Sequence, residues 1–136
     1  MTSLESYRAK LTGSDAEENL WGQLRMLGLA DRLFSESAVR QYAWPQAEVA
    51  ASRPAPLTPT GKVRRWTADF CFVGRRLLIE VDGAVWVKGG HTSGRGYTED
   101  RERDAEALCC GYYTLRVTPA QIESGQVIRW IERLLK

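Results

Sequence analysis

Two short segments set carboxylates inside apolar strand patterns: Thr67-Ala68-Asp69-Phe70 and Leu78-Ile79-Glu80-Val81-Asp82-Gly83. Around the first, Trp66, Ala68, Phe70 and Phe72 alternate with Thr67, Asp69 and Cys71. In the second, Leu77, Ile79 and Val81 alternate with Leu78, Glu80 and Asp82. A period of two puts the apolar side chains on one face and the acids on the other. Val73-Gly74-Arg75-Arg76 reads as a hairpin turn that sets the strands side by side. Three carboxylates on one patch repel one another unless protons or a cation hold them together. Mg²⁺ seeks oxygen donors and suits Asp69, Glu80 and Asp82, with Mn²⁺ as its substitute. Such an ion can neutralise phosphoryl oxygens, activate a water and help a leaving oxygen, which is the chemistry of phosphodiester hydrolysis.

Other residues could serve the same reaction. His91, the only histidine, stands in the glycine-rich run Gly89-Gly90-His91-Thr92-Ser93-Gly94-Arg95-Gly96. There it could orient the attacking water or touch the scissile phosphate. One histidine excludes zinc-type and HNH-type sites. Basic residues gather around the acids: Lys62, Arg64 and Arg65 before the Asp69 strand, Arg75 and Arg76 in the turn, Lys88 and Arg95 after the Glu80 strand. They are expected to form a phosphate-binding rim for nucleic acid, with Lys62, Arg64, Arg65, Lys88 and Arg95 as its contacts.

The elements that must position these groups follow from periodicity and punctuation. Ser14-Asp15-Ala16-Glu17 has the pattern of a capping box and opens a helix to about Leu29, with Leu20, Trp21, Leu24 and Leu27 as its stripe. That alone accounts for Glu17. A shorter helix is expected over residues 3–12; residues 31–44 fit either helix or strand, with Ala38 to Trp44 as the edge strand in the second case. Four of the five prolines fall between Pro45 and Lys62, which reads as a loop or arm. After the glycine-rich loop from Gly83 to Tyr97, Thr98 is expected to cap a charged helix to about Cys110. Tyr112 to Val117 reads as a buried strand, and Thr118-Pro119-Ala120-Gln121 opens a last helix carrying Val127, Ile128, Ile131, Leu134 and Leu135. A helical crossover between the Glu80 strand and Tyr112–Val117 pairs them in parallel. The expected fold is α/β, a mixed central sheet flanked by helices, in one domain.

Composition narrows the class. The chain has 136 residues, 43% of them hydrophobic, and a net charge of +2, enough for one domain with a modest core. Cys71, Cys109 and Cys110 are odd in number and lack a CxxC spacing, so they read as reduced thiols of a cytoplasmic protein. No apolar run approaches the roughly 18 residues that span a bilayer. Among five tryptophans, Trp44 and Trp86 stand beside loops and could stack on bases.

The ordered set of motifs resembles the PD-(D/E)xK nuclease superfamily, and within it the small Vsr-like endonuclease domains of bacteria and phages. Its pieces are Glu17 with Leu20-Trp21, Asp69-Phe70, Glu80-Val81-Asp82-Gly83, Arg103-Asp104, and Gly111-Tyr112-Tyr113-Thr114-Leu115-Arg116. The resemblance implies a restriction-endonuclease-like core, Mg²⁺-dependent cleavage of DNA, and Glu17 as an acid close to the metal. The superfamily's signature lysine falls at Asp82, which leaves that role unassigned, with Lys88 as a candidate replacement. The paired histidines of Vsr enzymes are lacking. The expected catalytic set is Glu17, Asp69, Glu80, Asp82 and His91. A second reading is a DNA-binding or assembly module on the same fold that has lost catalysis. A two-strand cutter would need two sites and hence a homodimer.

Overall fold

The alternation around Asp69 and Glu80 forms two neighbouring strands, and the remaining elements build outward from them. A computed structural model of the chain describes residues 13–30, 37–82 and 94–136. The elements are α1 (Gly13–Met26), β1 (Ala38–Tyr42), α2 (Trp44–Ala50), β2 (Ala68–Phe72), a 3-10 turn (Val73–Arg75), β3 (Leu77–Val81), α3 (Gly94–Cys109), β4 (Tyr113–Val117), α4 (Pro119–Glu123) and α5 (Gln126–Leu134). The sheet order is β1-β2-β3-β4. β2 runs antiparallel to β1 and β3, and β3 pairs in parallel with β4. This is the mixed α/β sheet that the sequence implies.

Both faces of the sheet are covered. On one, Phe70, Phe72, Leu77, Ile79 and Val117 pack against Ala16, Leu20 and Leu24 of α1, Ile122 of α4, and Val127, Ile128 and Ile131 of α5. The spacing of Ala16, Leu20 and Leu24 is a helical stripe one residue wide, which is why α1 lies along the sheet. On the other face, Cys71, Leu78, Trp44, Ala107 and Tyr112 form a second cluster. The face expected to carry the acids is therefore sealed over its middle by α2 and α3, with Cys71 and Leu78 buried. The acids survive only where the strands end.

Several expected elements differ. α1 begins at Gly13, one residue before the expected start at Ser14. The proline-rich stretch is a loop only in part, because α2 occupies Trp44–Ala50 with Pro45 in its first turn, where a missing N–H costs nothing. Trp44 is fully buried and cannot stack on a base. α3 starts at Gly94, four residues before Thr98, and takes Gly94 and Gly96 out of the expected loop. β4 lies at an edge of the sheet with an exposed Tyr113, not in its interior. The last helix is two, because Gly125 adopts φ +82° and separates α4 from α5. The capping box of Thr118 and Gln121 is present as expected. The helix expected over residues 3–12 and the loop residues 83–93, including His91, Lys88 and Trp86, lie outside the described residues. No helix among the described residues is long and apolar enough to cross a membrane.

A buried carboxylate ties the second layer together. Glu48 of α2 accepts hydrogen bonds from Arg53 Nε at 2.8 Å, Arg76 Nη2 at 2.9 Å and the Tyr112 hydroxyl at 2.8 Å. Arg76 closes the hairpin at φ 51°, and its guanidinium lies 4.0 Å from the Tyr112 ring centroid. One side chain thus joins α2, the hairpin turn and the start of β4. Mainly through the Arg53 hydrogen bond, the Glu48 carboxyl is lowered to about 2.

Candidate active site

The β2–β3 ladder pairs Phe70 with Ile79, Cys71 with Leu78 and Phe72 with Leu77, and goes no further. Yet β2 stays paired with β1 as far as Ala68, and β3 with β4 as far as Val81. The two central strands therefore part beyond Phe70 and Ile79, each still held by its outer neighbour. Continued by one residue, the register sets Asp69 opposite Glu80, on the two prongs of this fork. Asp69 Oδ2 accepts a hydrogen bond from the Val81 N–H at 2.7 Å, replacing the backbone partner that a continued ladder would supply. A side chain fixed in this way is held by the backbone of the neighbouring strand.

α1 brings a second acid to the fork. Glu17, half-buried beside Ala16, hydrogen-bonds Asp69. Two carboxyls can share a hydrogen bond only if one holds a proton, and burial, the Asp69 hydrogen bond and the Asp69 charge push Glu17 up to about 7. Glu80 is also pushed up to about 7, first by burial and then by the Asp69 charge, against the opposing pull of Arg103 and Arg116. Three carboxylates from α1, β2 and β3 thus influence one another at one end of the sheet, as expected of acids gathered into a site.

Cations come from α3 and β4. Arg103 Nη2 stands 3.8 Å from Glu80 Oε2 and 3.1 Å from Asp100 Oδ1. Its Nε is a buried donor without a hydrogen-bond partner among the described residues. Arg116 pairs across the parallel ladder with Glu80 and holds Asp104 through Nε at 3.2 Å and Nη2 at 2.7 Å. The alternating charges of α3 therefore do more than coat a solvated helix.

Gln41 was not legible as a site residue. It lies between Arg40 and Tyr42, which pair with Phe70 and Ala68, and its amide donates to Glu17 Oε2 at 3.2 Å. It sits at φ 49°, a conformation that a residue with a side chain seldom adopts. An edge-strand glutamine carries no chemical signature, and only the fold brings it to Glu17.

The other expected residues are spread more widely. Asp82 is exposed, one residue past β3, and its N–H bonds Val117 O at 2.7 Å. Lys62 and Arg65 are exposed on the segment leading into β2. Arg64 pairs with Glu102 at 2.8 Å and lies 5.0 Å from the Trp66 ring centroid, so it pins that segment to α3. Arg95 falls in the first turn of α3.

Whether a divalent ion fits here can be asked of the donors. Among the described residues no three His, Cys, Asp or Glu side chains are arranged to hold one ion together. Mg²⁺ rarely needs such a cage; one or two carboxylates, waters and substrate phosphates ordinarily complete its shell. Asp69 and Glu80, both hard oxygen donors on opposite prongs, fit that smaller demand. A cation between them would relieve the repulsion that protons relieve in its absence. Comparison with protein-family models, curated proteins and solved structures finds no match, so the reading of this site rests on its own geometry and chemistry.

Proposed function

We propose that the chain is a divalent-metal-dependent endonuclease that hydrolyses DNA phosphodiester bonds at the fork between β2 and β3. The observation that carries the reading is the convergence of Glu17, Asp69 and Glu80 where a ladder that could have continued stops. Asp69 and Glu80 would hold Mg²⁺, which when bound supplies charge neutralisation and a water of lowered pKa. Asp69 is kept in place by the Val81 N–H. Glu17, poised near 7, can take a proton from water and return it to a leaving oxygen, the property required of a general acid–base. Arg103, whose Nη2 stands 3.8 Å from Glu80 Oε2, would place its cation where negative charge builds on a phosphoryl group. The resemblance of the motif set to PD-(D/E)xK nucleases points to the same reading, in which His91 and Lys88 carry no part.

The test is single-turnover cleavage of a labelled duplex by the wild type, Asp69→Asn and Glu17→Gln. The asparagine variant should be inert at every metal concentration, and the glutamine variant should slow cleavage and lose its pH dependence near neutrality. Wild-type rates in both variants would refute the assignment. A second reading is a DNA-binding module without catalysis, for which Asp82 at the position of the superfamily's signature lysine speaks. That module should bind equally well in chelator and should cut under no condition.

A further inference from the structure

A groove of about 1010 Å³ begins two residues before Asp69, lined by Gln46 of α2, Thr58, and the run Lys62 to Thr67. We infer that this groove is the track for one DNA strand, with Lys62 and Arg65 neutralising its phosphates. The inference deepens the nuclease reading by saying where the substrate lies, and takes DNA as the partner from that reading.

Three observations support it. The first is charge: Lys62, Arg64 and Arg65 fall within four residues of chain. Arg64 and Glu102 neutralise one another, which leaves Lys62 and Arg65 exposed as the charges of this wall. A surface of net positive sign matches a polyphosphate backbone. The second is rigidity. Gln46 Nε2 holds Arg64 O at 2.8 Å, Arg64 N bonds Pro56 O at 2.9 Å, and Leu57 bridges Val63. The Lys62 N–H bonds Thr58 Oγ1 at 3.1 Å. The segment is irregular in secondary structure yet held at several points, so its backbone is a fixed wall that needs no ordering on binding. The third is distance. Arg65 and Asp69 are four positions apart, a span of no more than about 14 Å of extended chain. At ~3.4 Å per nucleotide along a duplex strand, the groove would hold phosphates within about four nucleotides of the cleavage point. The proline-rich arm thus builds the outer wall of the strand track.

The experiment is equilibrium binding of a fluorescent duplex to the full chain carrying Asp69→Asn, in chelator, across about 50 to 300 mM salt. It is repeated with Lys62→Ala plus Arg65→Ala, and with Arg129→Ala plus Arg133→Ala on α5 as a control of equal charge loss. Circular dichroism melting confirms that each variant folds. Each phosphate contact on a duplex contributes about 0.9 to the slope of log affinity on log salt. The groove variant should therefore lose about 1.8 from that slope, which at ~0.1 M salt is a roughly 60-fold weaker complex. The control should keep the wild-type slope. An unchanged slope in the groove variant, an equal loss in the control, or no salt-dependent binding at all would overturn the inference. A chain that cuts nothing yet shows the expected slopes would keep the track and refute the nuclease. Metal-dependent cleavage with an unchanged slope would keep the nuclease and refute the track.

Discussion

Replacing Glu48 by glutamine keeps the shape of the side chain and removes the charge that holds Arg53 and Arg76 against Tyr112. The carboxyl lies at about 2 instead of 4.5. At ~1.36 kcal/mol for each tenfold change in proton affinity, that lowering sets a ceiling of about 3.4 kcal/mol on its contribution to stability. Glu48 itself is 2% exposed, but the Arg53 side chain is 50% exposed and that of Arg76 31%, so solvent screens part of the attraction. A loss of about 2 kcal/mol remains, or a fall of roughly 6–10 °C in Tm for a chain of this size. The pH dependence has a definite sign. A depressed carboxyl stabilises the fold above its unfolded value of 4.5 and loses that contribution as pH falls toward about 2. Urea unfolding of the wild type and Glu48→Gln should therefore differ at neutral pH and converge as the medium is acidified through this window. Equal stability at neutral pH, or a gap that persists at the acid end, would refute the reasoning.

Glu80 works in the opposite direction. Its pKa is raised to about 7, so its contribution is fully present below 4.5 and is lost as pH rises through neutrality. Without metal the protein should be less stable in mild alkali than at pH about 5, and Glu80→Gln should flatten that dependence, as read by thermal melts. Mg²⁺ should reverse the trend in the wild type alone. The thiols should separate sharply: Cys71 is buried and pushed up to about 12, so it should resist a thiol reagent in mild alkali. Exposed Cys109 should react at once, and unfolding in urea should release Cys71.

Strand polarity and the hairpin could be read from period-two patterning because apolar residues on β2 and β3 have one face to fill. The parallel partner followed from the helix between β3 and β4, and the Thr118 cap from a motif whose two hydrogen bonds are local. The fork could not be read. Trp66, Ala68 and Phe70 continue the alternation past the point where β2 and β3 separate, so the pattern looks like one unbroken strand. α2 was hidden because proline counts against helix everywhere except the first turn, and Pro45 sits there. Glu48 and Gln41 gave no local signal; one acts through partners 5, 28 and 64 residues away and the other reaches across 24. Gly125 falls inside the expected last helix, and its positive φ divides that helix in two. Asp69 and Glu80 were legible by type and spacing, Glu17 only through the motif resemblance, and the arginine and glutamine that surround them only by tertiary contact.

The central claim is that Asp69 and Glu80 hold a metal that cuts DNA. It is tested most directly by incubating supercoiled plasmid with the wild type and with Asp69→Asn, each in Mg²⁺, Mn²⁺ and chelator. The account predicts relaxed circles from the wild type in either metal, with linear product only if the protein dimerises, and intact plasmid in chelator and with Asp69→Asn. Nicking by Asp69→Asn at the wild-type rate, nicking in chelator, or an intact plasmid in every lane would contradict it.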